Sequence, residues 1–473
     1  MNDSDWELAT QTTVVLTAHP LQRVGAFALF AMAGSAPGEQ TFERAVNLSA
    51  RDAVRAALVR DTNSAIGFWL KVSYSFFPSA PMNHPRNRKL TDAQVAENVK
   101  LWRTLPTRSS WPDVECVLCG RVAIGFFGKR DVPLAESASY RNSTPPGHEG
   151  MALCWPCLQS FYALPYGVRL TGGSSIAVHS WDDEFLQHAI TEQVDHNLML
   201  AATGDAARRQ QDVREVVALT ALRTHRRPVG AAVELLLFNN NNRGQLLEAH
   251  KLDQPLAEWL RRTQRHPDLR AGFAELLRAH ATASTPGLVA LAHNAFRTPT
   301  RIVPTGHGRL LRTLTRAAHD RARSRALADL LNSFATEVML MTEKDLAEIA
   351  RTAGNVAVLL NKATTGGQLR TFRTLLREPA KLRRWLMTEG VQWAVKPPQD
   401  VAGPLVSERG FELLFDPVSE NPAWFHRDML LVGVLAELNR LGWKPEKPED
   451  EPEQPLALQD SEAIERETEE DER

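Results

Sequence analysis

The sequence predicts an α+β chain: a mixed N-terminal domain with a four-cysteine zinc-binding insertion, followed by a C-terminal helical bundle and a disordered acidic tail. Three observations carry this. The four cysteines fall as two C-x-x-C pairs, Cys116 with Cys119 and Cys154 with Cys157. From Arg309 onward apolar residues recur at helical spacing. From Glu446 to Arg473 the chain is mostly Glu and Asp with repeated prolines, a composition that cannot build a core. The expected divisions are residues 1–300 with the zinc module at 110–180, then 301–445, then the tail 446–473.

Taken in order, Val14 to Thr17 reads as a short strand, and His19-Pro20 caps a buried helix carrying the apolar run Val24 to Met32. Ile66 to Phe77, β-branched and aromatic, reads as a strand, and Pro78 to Lys89 as a loop. Thr91-Asp92 opens a helix reaching about Leu105. Val122 to Phe127 is strand-like, and Leu158 to Leu164 begins a helix beside the second cysteine pair. Phe185 to Leu200 is an amphipathic helix, and Val213 to Leu222 is of mixed character. Val233 to Phe238 is a strand ended by Asn239-Asn240-Asn241-Asn242-Arg243-Gly244, after which the chain turns helical. Helices follow over Arg309 to Met341, Glu343 to Lys362, Gln368 to Met387 and Trp424 to Leu441, interrupted at Gly354, Gly366-Gly367 and Pro397-Pro398.

Two thiolates three positions apart can approach one ion from a tight turn, and two such turns supply the four sulfurs that zinc prefers. The pairs bracket a 34-residue insertion, Gly120 to Leu153. A redox turn at Cys154 to Cys157 is an alternative that leaves the first pair unexplained. Two disulfides are another, and they require an oxidising compartment. Four protein ligands leave no position for substrate, so the metal is expected to be structural.

At 473 residues the chain has room for two or three domains. Met1 to Gln11 carries acids rather than a basic leader region, and no apolar stretch approaches bilayer length, so a cytoplasmic protein without membrane contact is expected. The net charge of -1 conceals an asymmetry: from Ala201 to Leu330 arginines outnumber acids about two to one, against the acidic end. A basic region of this density suits a phosphate backbone, whereas any single arginine reads as a solvated helix face.

Catalytic patterns are sparse. His319-Asp320 is the doublet of one class of metal-dependent phosphohydrolase, and Asp182-Asp183 with His188 could hold a divalent ion or simply favour a helix N-terminus. Gly172-Gly173-Ser174-Ser175 lacks the lysine of a phosphate-binding loop. No enzyme is expected. Asn239, Asn240, Asn241, Asn242, Arg243 and Gly244 are candidate nucleic-acid contacts, because asparagine offers donor and acceptor on a short side chain suited to the minor groove; a polar turn after a strand explains the same residues.

The zinc segment as a whole resembles a known family. Cys116-x-x-Cys119-Gly120, then Pro133-Leu134-Ala135-Glu136-Ser137 with Tyr140-Arg141-Asn142, then Cys154-x-x-Cys157 followed by Leu158 to Pro165, is similar to the CXXC-CXXC family of large subunits of type I CRISPR surveillance complexes (Cascade). The arginine-rich composition is similar to that of its myxobacterial developmental branch. The resemblance implies a DNA- and RNA-binding, non-catalytic subunit in antiviral defence. It would contact the guide RNA end and target double-stranded DNA, probe the adjacent motif, join the other subunits and recruit a helicase-nuclease. A metal-dependent nuclease, or a zinc-stabilised scaffold in developmental (fruiting-body or sporulation) regulation, are the alternatives.

Overall fold

The structure is a computed structural model describing residues 10–34, 39–59, 67–135, 150–171, 174–203, 214–241, 244–316, 320–361, 366–398, 403–416, 421–446, 457–458 and 460–461. It is mostly helical with two small antiparallel sheets. The chain forms two compact units, Met1–Lys251 and Leu252–Arg473. The boundary expected at residue 300 therefore lies earlier, because the helices after Leu252 pack among the later ones.

Unit 1 is built around α1 (Pro20–Ala33), which packs on α2 (Glu39–Ala57), α5 (Trp155–Ala163) and α6 (Asp183–Thr203). His19 starts α1: its Nδ1 accepts the Gln22 backbone N–H at 3.3 Å, and Pro20 occupies the first helical position, where no N–H is needed. The strand expected at Val14 to Thr17 does not form. Gln22 takes the place of a neighbouring strand, donating to the Val15 carbonyl and accepting from the Thr17 N–H. A Cβ on Gly25 would lie 1.8 Å from the Ser160 carbonyl oxygen, so α1 and α5 touch backbone to backbone there.

The strand expected at Ile66 to Phe77 is instead the helix α3 (Phe68–Phe76). Phe68, Val72 and Phe76 recur every four residues and are buried, so helical periodicity prevails over local β propensity. Helix α4 (Asp92–Trp102) opens with a capping box between Thr91 and Gln94. The first sheet pairs β1 (Gly125–Phe127) with β2 (Met151–Leu153), Phe126 opposite Ala152. The second runs β3 (Arg169–Thr171), β4 (Ser174–Ser180), β5 (Val233–Asn241), β6 (Gly244–Leu252), with β4 and β5 antiparallel from Ser175 opposite Phe238 to Ser180 opposite Val233. Helices α6 and α7 (Arg214–Thr224) pack on β4, and α3 packs on β5. The residues from Gln245, expected to turn helical, form strand β6, which lies beside β5, and β5 itself continues through Asn239 and Asn240 to Asn241.

Unit 2 contains α8 (Gln254–Arg265), α9 (Pro267–His280), α10 (Gly287–Arg297), α11 (Ile302–Leu314), α12 (Arg321–Glu337), α13 (Glu343–Asn361), α14 (Gly366–Leu376), α15 (Pro379–Val395), α16 (Glu408–Phe415) and α17 (Ala423–Leu441). Helix α9 packs on α10, α11 and α12, while α17 packs on α11, α12 and α13. The single helix expected from Arg309 to Met341 is two, because Asp320 caps a new start by accepting the N–H groups of Ala322 and Arg323. Gly354 does not interrupt α13. Glu275, buried, accepts both Nε and Nη2 of Arg309 at 3.0 and 2.9 Å and pairs with Arg278.

Within the acidic tail, 447–456, 459 and 462–473 lie outside the described residues. Asp460 corrects the expectation of a wholly structureless tail: it is fully buried, and its carboxylate accepts the backbone N–H groups of Gly287 and Leu288.

Candidate metal centre

The first cysteine pair sits on a turn that the backbone closes on itself. The Cys116 N–H donates to the Arg121 carbonyl at 2.6 Å and the Gly120 N–H to the Cys116 carbonyl at 2.9 Å. Gly120 has φ +74°, the left-handed region that glycine enters without steric cost, which lets the chain reverse directly after Cys119. The second pair opens α5. Cys154 is its N-cap and Cys157 lies in its first turn, with Pro156 between them. Pro156 is thereby explained by helix initiation rather than by redox chemistry.

Three links hold these arms together. The Val117 N–H donates to the Ala152 carbonyl, and the Ile124 N–H to the Leu153 carbonyl. Gln11, 1% exposed, spans both arms: its Oε1 accepts the Trp155 N–H at 2.8 Å, and its Nε2 donates to the Val122 carbonyl at 3.1 Å. Nothing in the sequence marks Gln11, whose partners lie more than a hundred residues away.

The result is a cluster whose four sulfurs lie within 4.8 Å of one another, with Cys119 Sγ and Cys154 Sγ 3.5 Å apart and no disulfide. Cys116, Cys154 and Cys157 are buried, and Cys119 is half-buried. Thiols this close compete for ionisation. Hydrogen bonds from Cys119, and then from Cys154 and Cys157, hold the Cys116 thiol far below its ordinary value, while Cys116 and Cys119 push Cys157 far above it. A bound cation removes the conflict by deprotonating each ligand outright, and the positive end of α5 favours the thiolates of the second pair. The residues therefore can hold a metal ion. They fit one held by four sulfurs alone.

Among the described residues no other group of three or more His, Cys, Asp or Glu lies close enough to hold a metal. Asp182 accepts the N–H groups of Glu184, Phe185 and Gly230, and Asp183 pairs with Arg23, so this pair caps and anchors α6. Asp320 is a helix cap, and His319 lies outside the described residues. Of the proposed nucleic-acid contacts, Asn240 is 0% exposed: it donates to the Phe76 carbonyl at 2.6 Å and accepts from Gln245 Nε2 at 2.8 Å. It is a packing residue, and the minor-groove role expected of it is corrected, since both ends of its amide are engaged inside unit 1. Asn239 is half-buried, Asn241 and Gly244 end the two strands, and Asn242 and Arg243 lie outside the described residues.

Comparison with protein families, with curated proteins and with solved structures finds no match. No helix among the described residues is long and apolar enough to cross a membrane.

Proposed function

We propose that Cys116, Cys119, Cys154 and Cys157 hold one structural Zn²⁺, and that the chain is a non-catalytic large subunit of a cytoplasmic RNA-guided surveillance complex. The observation carrying the first part is the four-sulfur cluster. Zinc bonds thiolate sulfur at about 2.3 Å, which sets tetrahedral sulfurs about 3.8 Å apart, within the span of this cluster. Its filled coordination shell leaves it to fold the protein: it clamps the Cys116–Cys119 turn to α5, on which the last part of the family-like motif begins at Leu158. The second part rests on the resemblance of that motif, with its two pairs and intervening segment, to CXXC-CXXC large subunits. The partners are then guide RNA, target duplex, the remaining subunits and a helicase-nuclease.

Elemental analysis of purified protein tests the metal, and about one zinc per chain is expected. Affinity purification from the native host tests the role. A short repeat-derived RNA should accompany the chain, and its absence from a preparation that contains stoichiometric zinc would reject the RNA-guided reading while leaving the metal centre standing.

A further inference from the structure

Two adjoining segments of unit 1 carry exposed cations that make no ion pair or side-chain hydrogen bond with a described residue. The first is α2, where Arg44, Arg51 and Arg55 recur at steps of seven and four residues and so share one helix face. No acid lies three or four positions from Arg44 or Arg51. Asp52, three before Arg55, is buried and accepts the Tyr166 hydroxyl at 3.0 Å, so Arg51 and Arg55 act on it only through the field. The second segment is the one-turn helix Pro85–Lys89, with Arg86, Arg88 and Lys89 exposed. Its backbone is fixed from within: Asn87 Nδ2 donates to the Pro81 carbonyl at 2.8 Å, and His84 Nδ1 accepts the Arg86 N–H at 3.1 Å. The preceding turn, Pro81–Asn83, packs on α2 and α4 with Met82 and Asn83 buried. Residues 62–91 contain no Asp or Glu.

Exposed helical arginines elsewhere in the chain find an acid three residues away: Arg323 pairs with Asp320, Arg409 with Glu412 and Arg440 with Glu437. Like charges four apart, as at Arg51 and Arg55, destabilise a helix, and a bound polyanion reverses that effect. We infer that α2 and Pro85–Lys89 together bind the phosphate backbone of a nucleic acid without reading its sequence. A guanidinium presents a planar fork of donors that matches phosphate oxygens, and contacts to phosphate position a protein without specifying bases. An acidic protein fits this face less well. Protein interfaces centre on apolar and aromatic anchors, and no large hydrophobic side chain is exposed on α2 or across 81–90. The inference deepens the proposed function by resting on its nucleic-acid part alone, and it needs neither the metal centre nor a guide RNA.

The test is fluorescence anisotropy of the full chain with a labelled duplex and a labelled single strand, each in two unrelated sequences, across a salt series. Arg44→Ala with Arg51→Ala is one variant, and Arg86→Ala with Arg88→Ala is another. Arg323→Ala with Arg440→Ala removes two exposed but paired arginines and is the control. Each of the first two variants should weaken binding about tenfold, alike for both sequences, and lower the salt slope by about 1–2; the control should lose less than about twofold. In the unaltered chain, bound oligonucleotide should shield Arg44, Arg51, Arg86 and Arg88 from an arginine-modifying dicarbonyl, a readout that no folding defect can mimic. Binding that survives both variants overturns this surface and leaves the nucleic-acid role standing, whereas a parent chain that binds neither probe removes both. Losses no larger than the control's would reduce the effect to net charge, and losses on polyglutamate but not on oligonucleotide would give the face to an acidic protein; either result overturns the inference.

Discussion

Asp460 caps a helix that begins 173 residues before it: its two carboxylate oxygens receive the N–H groups of Gly287 and Leu288, each at 2.8 Å. Four N–H groups at a helix start lack intrahelical partners, and a carboxylate there satisfies donors while opposing the positive end of the dipole. Asp460→Ala should lower the stability of unit 2 by about 1–2 kcal/mol. Ending the chain after residue 456 should do the same. Urea unfolding measures both, and unchanged midpoints in both proteins would show that the tail is not part of the fold.

Gly25→Ala should be strongly destabilising, although alanine is the better helix former by about 1 kcal/mol. The new methyl would sit 1.8 Å from the Ser160 carbonyl oxygen, so α1 and α5 must separate. Overpacking of this kind costs about 1–3 kcal/mol or more, and backbone cannot rotate away as a side chain can. Thermal melting decides which effect prevails, and a variant at least as stable as the parent would refute the close approach.

Asn240→Ala should cost about 1–3 kcal/mol, since it strands the buried Phe76 carbonyl and leaves Gln245 Nε2 with only its 3.4 Å bond to the Ala135 carbonyl. Any loss of nucleic-acid affinity should follow from that instability and be equal on duplex and premelted targets. A selective loss on duplex, with the melting temperature unchanged, would return Asn240 to a reading role.

Burial pulls the His280 imidazole from 6.5 down to about 4, partly offset by its Nδ1 hydrogen bond to the Leu276 carbonyl. The unfolded chain therefore takes up this proton before the folded one does. His280 contributes stability that is full above pH 6.5 and is lost as the pH falls toward about 4, on the order of 3 kcal/mol. His280→Asn keeps a donor near the carbonyl without the titration. Its stability should depend less steeply on pH across that window, and parallel curves would place the titration elsewhere.

What could be read beforehand follows the range of the interactions. The His19, Thr91 and Asp182 helix starts and the cysteine turns are local, and their residues announce them. Phe68 to Phe76 misled because aromatic and β-branched residues suit a half-buried strand as well as a buried helix face, and only the surrounding core decides between them. Asn240 misled because the signature of a polar turn is silent about a carbonyl at Phe76. Gln11 and Asp460 were invisible for the same reason: each acts on backbone groups far along the chain.

Every residue of α5 is buried, and the helix carries two of the cysteines at one end while α1 rests on its side. The metal centre is therefore no detachable finger. Stripping the proposed ion with a thiol-competent chelator should loosen amides well beyond the cysteines, and hydrogen exchange should accelerate along α1 and α5 together. If exchange quickened only between residues 114 and 124, the metal would be a local clasp. Concerted release would instead make metal supply a switch for whether the whole first unit exists as a folded body.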